Sequence, residues 1–80
     1  MGLFGNIKMS NKLKLNRKHF VELLNIEKFV YKSDIVWVYL KKGNYPRILK
    51  TDYSPYILRL RLNNLGYRIT DFKVEVDNGN

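Results

Sequence analysis

Residues 16–40 read Asn-Arg-Lys-His-Phe-Val-Glu-Leu-Leu-Asn-Ile-Glu-Lys-Phe-Val-Tyr-Lys-Ser-Asp-Ile-Val-Trp-Val-Tyr-Leu, and how this run divides decides the fold. Its last six residues, Ile35–Leu40, are all β-branched, aromatic or Leu, which makes them the strongest strand signal in the chain. Its first part reads as a helix. Asn16 can cap an N-terminus, and from Arg17 to about Val30 the side chains of Phe20, Leu23, Leu24 and Val30 fall on one side. Lys18, Glu22 and Lys28 then face water. Asn25-Ile26 offers an earlier stop, in which case Glu27–Tyr31 is an extra strand. Lys32-Ser33-Asp34 is a turn under either division.

Working outward, Lys12-Leu13-Lys14-Leu15 alternates as a short strand does. Lys41-Lys42-Gly43-Asn44 is a hairpin turn, because Gly43 and Asn44 tolerate positive φ. A return strand is expected over Pro46–Thr51, with Pro46 at its start. Ser54-Pro55 opens a helix as N-cap and first helical residue, and Leu65-Gly66-Tyr67 closes it with Gly66 in the left-handed position. Between those ends the alternation of residues 56–62 imitates a strand, but Leu58, Leu62 and Leu65 form an i, i+4, i+7 stripe. Phe72–Val76 alternates as a final strand. The expected order is β-α-β-β-α-β, that of a ferredoxin-like α+β sandwich. The alternatives are αββαβ and a winged-helix-like domain. The expected organisation is an N-terminal arm over residues 1–10, one α+β domain over 11–77 and a polar tail over 78–80.

Eighty residues allow one small core. The absence of Cys excludes disulfides, thiolate metal sites and cysteine nucleophiles, and agrees with a reducing, cytoplasmic setting. No apolar run approaches the length of a membrane span. With a single His, scattered carboxylates and no Gly-rich loop, the chain offers no metal, cofactor or catalytic constellation, and a non-enzymatic binding protein is expected. Ala and Gln are absent while Lys, Asn, Ile and Tyr abound, a bias of A/T-rich genes that suggests a phage or mobile element of a bacterial host.

Fifteen Lys and Arg against seven Asp and Glu give a formal net charge of +8. That excess points to an anionic partner: nucleic acid first, or the acidic surface of a host protein bound by a phage-encoded inhibitor such as an anti-CRISPR. The charge is polarised along the chain. Seven cations lie from Lys8 to Lys32 against Glu22 and Glu27, seven more from Lys41 to Arg68 against Asp52, and the final strand and tail are acidic.

The candidate contacts follow from pleating. If Val36, Val38 and Leu40 face the core, Trp37 and Tyr39 lie on the opposite face, where bases can stack. Arg47 and Lys73 are expected on that same face and Tyr45 at its rim. Lys41 and Lys42 at the turn, and Lys12, Lys14, Arg17 and Lys18 before the first helix, supply phosphate contacts. Such an arrangement resembles RNA-recognition-motif sheets, although Tyr45-Pro46-Arg47-Ile48-Leu49-Lys50 lacks the glycine–aromatic signature of their third strand. On the second helix Arg59 and Arg61, with Tyr56, Asn63 and Asn64, carry side chains suited to reading base edges. A half-covered sheet of this size also leaves room for a homodimer.

Overall fold

The computed structural model describes residues 11–77; the expected N-terminal arm and polar tail lie outside the described residues. The chain forms a small α+β domain with one four-stranded mixed sheet, a separate two-stranded sheet and a single α-helix. In chain order the elements are β1 (Lys12–Lys14), β2 (Phe20–Glu22), a 3-10 turn at Leu23–Asn25, β3 (Ile26–Lys32), β4 (Ile35–Leu40), β5 (Ile48–Lys50), α1 (Pro55–Asn64), a second 3-10 turn at Ile69–Asp71 and β6 (Val74–Asp77).

The first helix expected over Arg17–Val30 does not form. Its residues supply β2, a 3-10 turn and β3, so the chain is not the β-α-β-β-α-β sandwich its sequence suggests. The reason lies in pairing. Ser33, at φ 54°, and Asp34 make a two-residue turn that folds β3 back onto β4. β3 then pairs antiparallel with β4 from Ile26↔Leu40 to Lys32↔Ile35 and parallel with β6 from Phe29↔Val74 to Lys32↔Asp77. A central strand satisfies its backbone on both sides, which a lone amphipathic helix over the same residues cannot improve on. Leu24 and Phe20, core positions of the expected helix, are instead 74% and 58% exposed. The alternative strand at Glu27–Tyr31 is the one that forms, extended by a residue at either end.

The four-stranded sheet has the order β5-β4-β3-β6, so α1 is the crossover that carries the chain from one edge of the sheet to the other. Lys12–Lys14 does form a strand, but it pairs with β2 outside the main sheet. Helix and hairpin together cover one face. Leu13, Leu15, Val21 and Leu23 of the hairpin region join Phe29, Val36, Val38, Leu40 and Leu49 of the sheet and Leu58 and Leu62 of α1 in one core. Phe29 is fully buried and meets the Phe72 ring edge-on, with 5.2 Å between centroids.

The ends of α1 are set by local chemistry. The Ser54 hydroxyl accepts from the Ile57 N–H at 3.3 Å, and Pro55 opens the first turn. At the other end Tyr67 N–H donates to Leu62 O at 2.9 Å and Gly66 N–H to Asn63 O at 3.0 Å, a Schellman closure with Gly66 at φ 92°. The return strand is shorter than expected, Ile48–Lys50, and follows a cis Tyr45–Pro46 peptide bond. Beyond it, Thr51 extends the contact with β4. Its hydroxyl donates to Val36 O at 2.8 Å and accepts from Tyr53 N–H at 3.0 Å, which satisfies a fully buried polar side chain.

The β5 edge is closed by the hairpin: Asn16 Nδ2 donates to Lys50 O at 3.0 Å, and Asp52 N–H to Leu15 O at 3.0 Å. Among the described residues, no helix is long and apolar enough to cross a membrane.

Candidate nucleic-acid interface

The face of the main sheet turned away from α1 and the hairpin is built by strand alternation. On β4 the buried residues Val36, Val38 and Leu40 alternate with half-exposed Ile35, Trp37 and Tyr39. Register then sets the neighbours of each ring. Tyr39 stands between Ile48 of β5 and Lys28 of β3, and Trp37 between Lys50 of β5 and Val30 of β3. Lys32 is diagonal to Trp37, within reach of a long side chain.

The register is continuous from Lys32↔Ile35 to Lys28↔Tyr39, which sets Lys28 on the same face as Tyr39. Beyond that pair it shifts at a bulge in which Glu27 is the extra residue, so that Ile26 turns to the core. The Lys28 ammonium sits 5.0 Å from the centre of the Tyr39 ring and donates to Glu75 Oε1 at 3.0 Å. The Lys32 ammonium sits 5.1 Å from the centre of the Trp37 ring. Lys32 and Lys50 form no salt bridge with a described carboxylate. Among the described residues, Glu75 and Asp77 of β6 pair in register with Val30 and Lys32 and bring carboxylates to this face. Glu75 is shared by Lys28 and by Lys73, whose ammonium is 3.8 Å from its second oxygen, so lysines flank the rings of β4 from β5 and β3 and reach the start of β6.

The eleven residues singled out from the sequence do not share one surface. Trp37 and Tyr39 lie on the open face as expected. Lys12, Lys14, Arg17 and Arg61 converge from the hairpin and α1 on a groove in the opposite layer. Lys18 is exposed in the turn that Asn16 organises, where the Asn16 side-chain carbonyl accepts from the N–H groups of Lys18 and His19, both at 2.9 Å. Lys41 and Lys42 are exposed in the β4–β5 turn. Arg47 does not join the open face: its guanidinium donates to Leu40 O at 3.0 Å and to the bulged Glu27 carboxylate at 3.1 Å. Tyr45 is 99% exposed in the turn before β5. Arg59 and Arg61 diverge, Arg59 acting on the Tyr31 phenol and Arg61 lying over the Tyr53 ring.

Lys28, Lys32 and Lys50 were not among the expected contacts. The sequence did carry a signal for the first two: Lys28, Val30 and Lys32 are spaced at i, i+2, i+4, the period of one strand face, and the helix assignment hid it. His19 is also held in place. Asn16 donates its amide to Lys50 O, so its carbonyl faces His19 Nδ1 at 3.0 Å, and the imidazole must donate from Nδ1. Among the described residues no group of three His, Asp or Glu side chains is placed to hold a metal ion. No family model matches this chain, and no curated protein or solved structure does either.

Proposed function

We propose that the protein is a non-enzymatic nucleic-acid-binding module that holds a single strand on its open sheet face. The observation that carries the reading is the alignment of Trp37 and Tyr39 with Lys28, Lys32 and Lys50 across three adjacent strands. Aromatic rings accept unpaired bases of any sequence, at about 1–3 kcal/mol per stack. The flanking ammonium groups neutralise backbone phosphates and release counterions.

The rings are already covered in part by the protein's own lysines, and magnitudes decide whether a ligand displaces them. An exposed cation–π contact is worth about 0.5–1 kcal/mol, and a surface ion pair such as Lys28–Glu75 about 0–1 kcal/mol. A stacked base exceeds either, and a displaced ammonium recovers its interaction on the adjacent phosphate. Glu75 already has two lysine partners, and Lys32 and Lys50 form no salt bridge with a described carboxylate, which favours a strand lying over β3, β4 and β5. A gene of a phage or mobile element acting inside a bacterial cell agrees with the composition and with the lack of Cys.

The test is fluorescence titration of the protein, whose single Trp is Trp37, with a short oligothymidylate at two salt concentrations. Quenching is expected, with an affinity that falls as salt rises at a log–log slope of about −2 for three contacted phosphates. Absence of quenching at low salt sinks the reading and leaves an acidic surface of a host protein as the occupant to pursue.

A further inference from the structure

The layer opposite the open face holds a second cationic feature, a groove between the β1–β2 hairpin and α1. We infer that this groove binds a phosphate group, gripped by Arg17 from the hairpin wall and Arg61 from the helix wall, with Lys14 beside them. The reading uses none of the open-face residues and stands or falls separately from the function proposed above.

The groove has a built floor. Tyr53 is buried to 7% exposure, its ring lies beneath the Arg61 guanidinium at 5.4 Å, and its hydroxyl donates to the Lys14 backbone carbonyl. That bond ties the two walls to one frame, which the Asp52–Leu15 and Asn16–Lys50 hydrogen bonds reinforce. Arg61 is thus oriented by an aromatic face rather than by a carboxylate, so its N–H fork remains available for an oxyanion. Arg17 stands at the exposed tip of the turn whose backbone is ordered by the Asn16 side-chain carbonyl, which accepts from the Lys18 and His19 N–H groups.

Lys14, Arg17 and Arg61 form no salt bridge with a described carboxylate. Among the described residues Asp52 is the carboxylate lining this part of the groove, whose open volume is about 390 Å3. Three cations against one acid, drawn from two elements, two of them resting on aromatic rings (Arg61 on Tyr53, Lys14 on Phe20), leave a concave site rich in positive charge. The ligand chemistry that answers it is a tetrahedral oxyanion, able to accept from both guanidinium groups at once.

The phosphate can belong to a nucleic-acid backbone or to a free nucleotide, and one experiment separates them. The full chain has five arginines, each of which contributes one Nε–Hε group to a nitrogen–proton correlation spectrum. Titration with inorganic phosphate at constant ionic strength should shift Arg17 and Arg61 saturably and leave Arg47, Arg59 and Arg68 in place. Arg17→Gln, at an exposed position without a packing role, should weaken phosphate binding about tenfold, as loss of a charge-assisted contact does. Arg61→Gln should do the same, and Trp37→Ala should leave the phosphate titration unchanged. If a short oligothymidylate moves the same two signals and competes with phosphate, the backbone is the source; if phosphate binds and the oligonucleotide leaves those signals alone, a free phosphate or nucleotide is. Equal shifts at all five arginines, or unaltered binding in both arginine variants, overturn the site. Failure of the open-face reading would appear only in the Trp37 fluorescence.

Discussion

The Lys32 ammonium lies 5.1 Å from the centre of the Trp37 ring, a diagonal contact between β3 and β4 on the sheet face turned away from α1 and the hairpin. On the proposed reading the two residues should contribute separably to oligonucleotide binding. Trp37→Ala should cost about 1–3 kcal/mol of oligonucleotide affinity and leave the salt dependence as it was, since a stack releases no counterions. Lys32→Gln should instead flatten the log–log salt slope by about 0.7. Titrations of a fluorescently labelled oligothymidylate, read by anisotropy at several salt concentrations, check both, and a Trp37→Ala variant that changes only the slope would contradict the assignment of roles.

The strand reading of residues 26–32 makes a sharp statement about stability. Phe29→Ala removes a fully buried ring that contacts Phe72 and should cost about 3–5 kcal/mol. Leu24→Ser, at a position 74% exposed, should fall within about 0.5 kcal/mol of the parent. A helix over Arg17–Val30 would make Leu24 a core residue and reverse that expectation. Urea denaturation of the two variants decides it.

Thr51 presents a different kind of burial. Thr51→Val keeps the shape but leaves the Tyr53 N–H and Val36 O without the hydroxyl between them. A loss of about 1–3 kcal/mol is expected, seen as a lower urea midpoint at unchanged m-value.

Gly66 closes α1 at φ 92°, where a Cβ is strained. Gly66→Ala should lower stability by about 1–2 kcal/mol. Thermal unfolding followed by circular dichroism measures it, and a neutral result would mean that the helix ends otherwise.

Burial pushes the Tyr31 phenol above its ordinary value, against a smaller opposing pull from the Arg59 guanidinium. The folded state therefore holds this proton more tightly than the unfolded chain. The associated stability is complete below the ordinary tyrosine range near pH 10 and is lost as pH rises through the raised value. Tyr31→Phe should blunt the alkaline loss of stability, and Arg59→Gln should raise the Tyr31 value further. Alkaline absorbance titration of the tyrosines, with stability measured in parallel, tests both.

Some of this was legible because its causes are local. Ser54, Pro55 and Gly66 each act within a few residues of the helix end they define, so α1 could be read in spite of the strand-like alternation at residues 56–62. The facing of Trp37 and Tyr39 away from Val36 and Val38 was legible for the same reason, since pleating is a property of one strand. Arg47 was misjudged because a carboxylate twenty residues away, Glu27, was brought to it by a bulge that no local pattern announces.

The amino-acid sequence by itself determined the +8 charge, the absence of thiol chemistry, the boundaries of α1, and the two rings that β4 offers. Tertiary structure decided the rest. Residues 20–32 carry an apolar pattern that suits a helix as well as a strand, and only the backbone partners supplied by β4 on one side and β6 on the other resolve it. The same pairing set Lys28 and Lys32 beside the aromatic rings. It also left the cations of the hairpin and α1 to gather on the opposite layer. Charge is a sum over residues and can be counted along a chain; a charged face is a matter of register, which exists only once strands distant in sequence have paired.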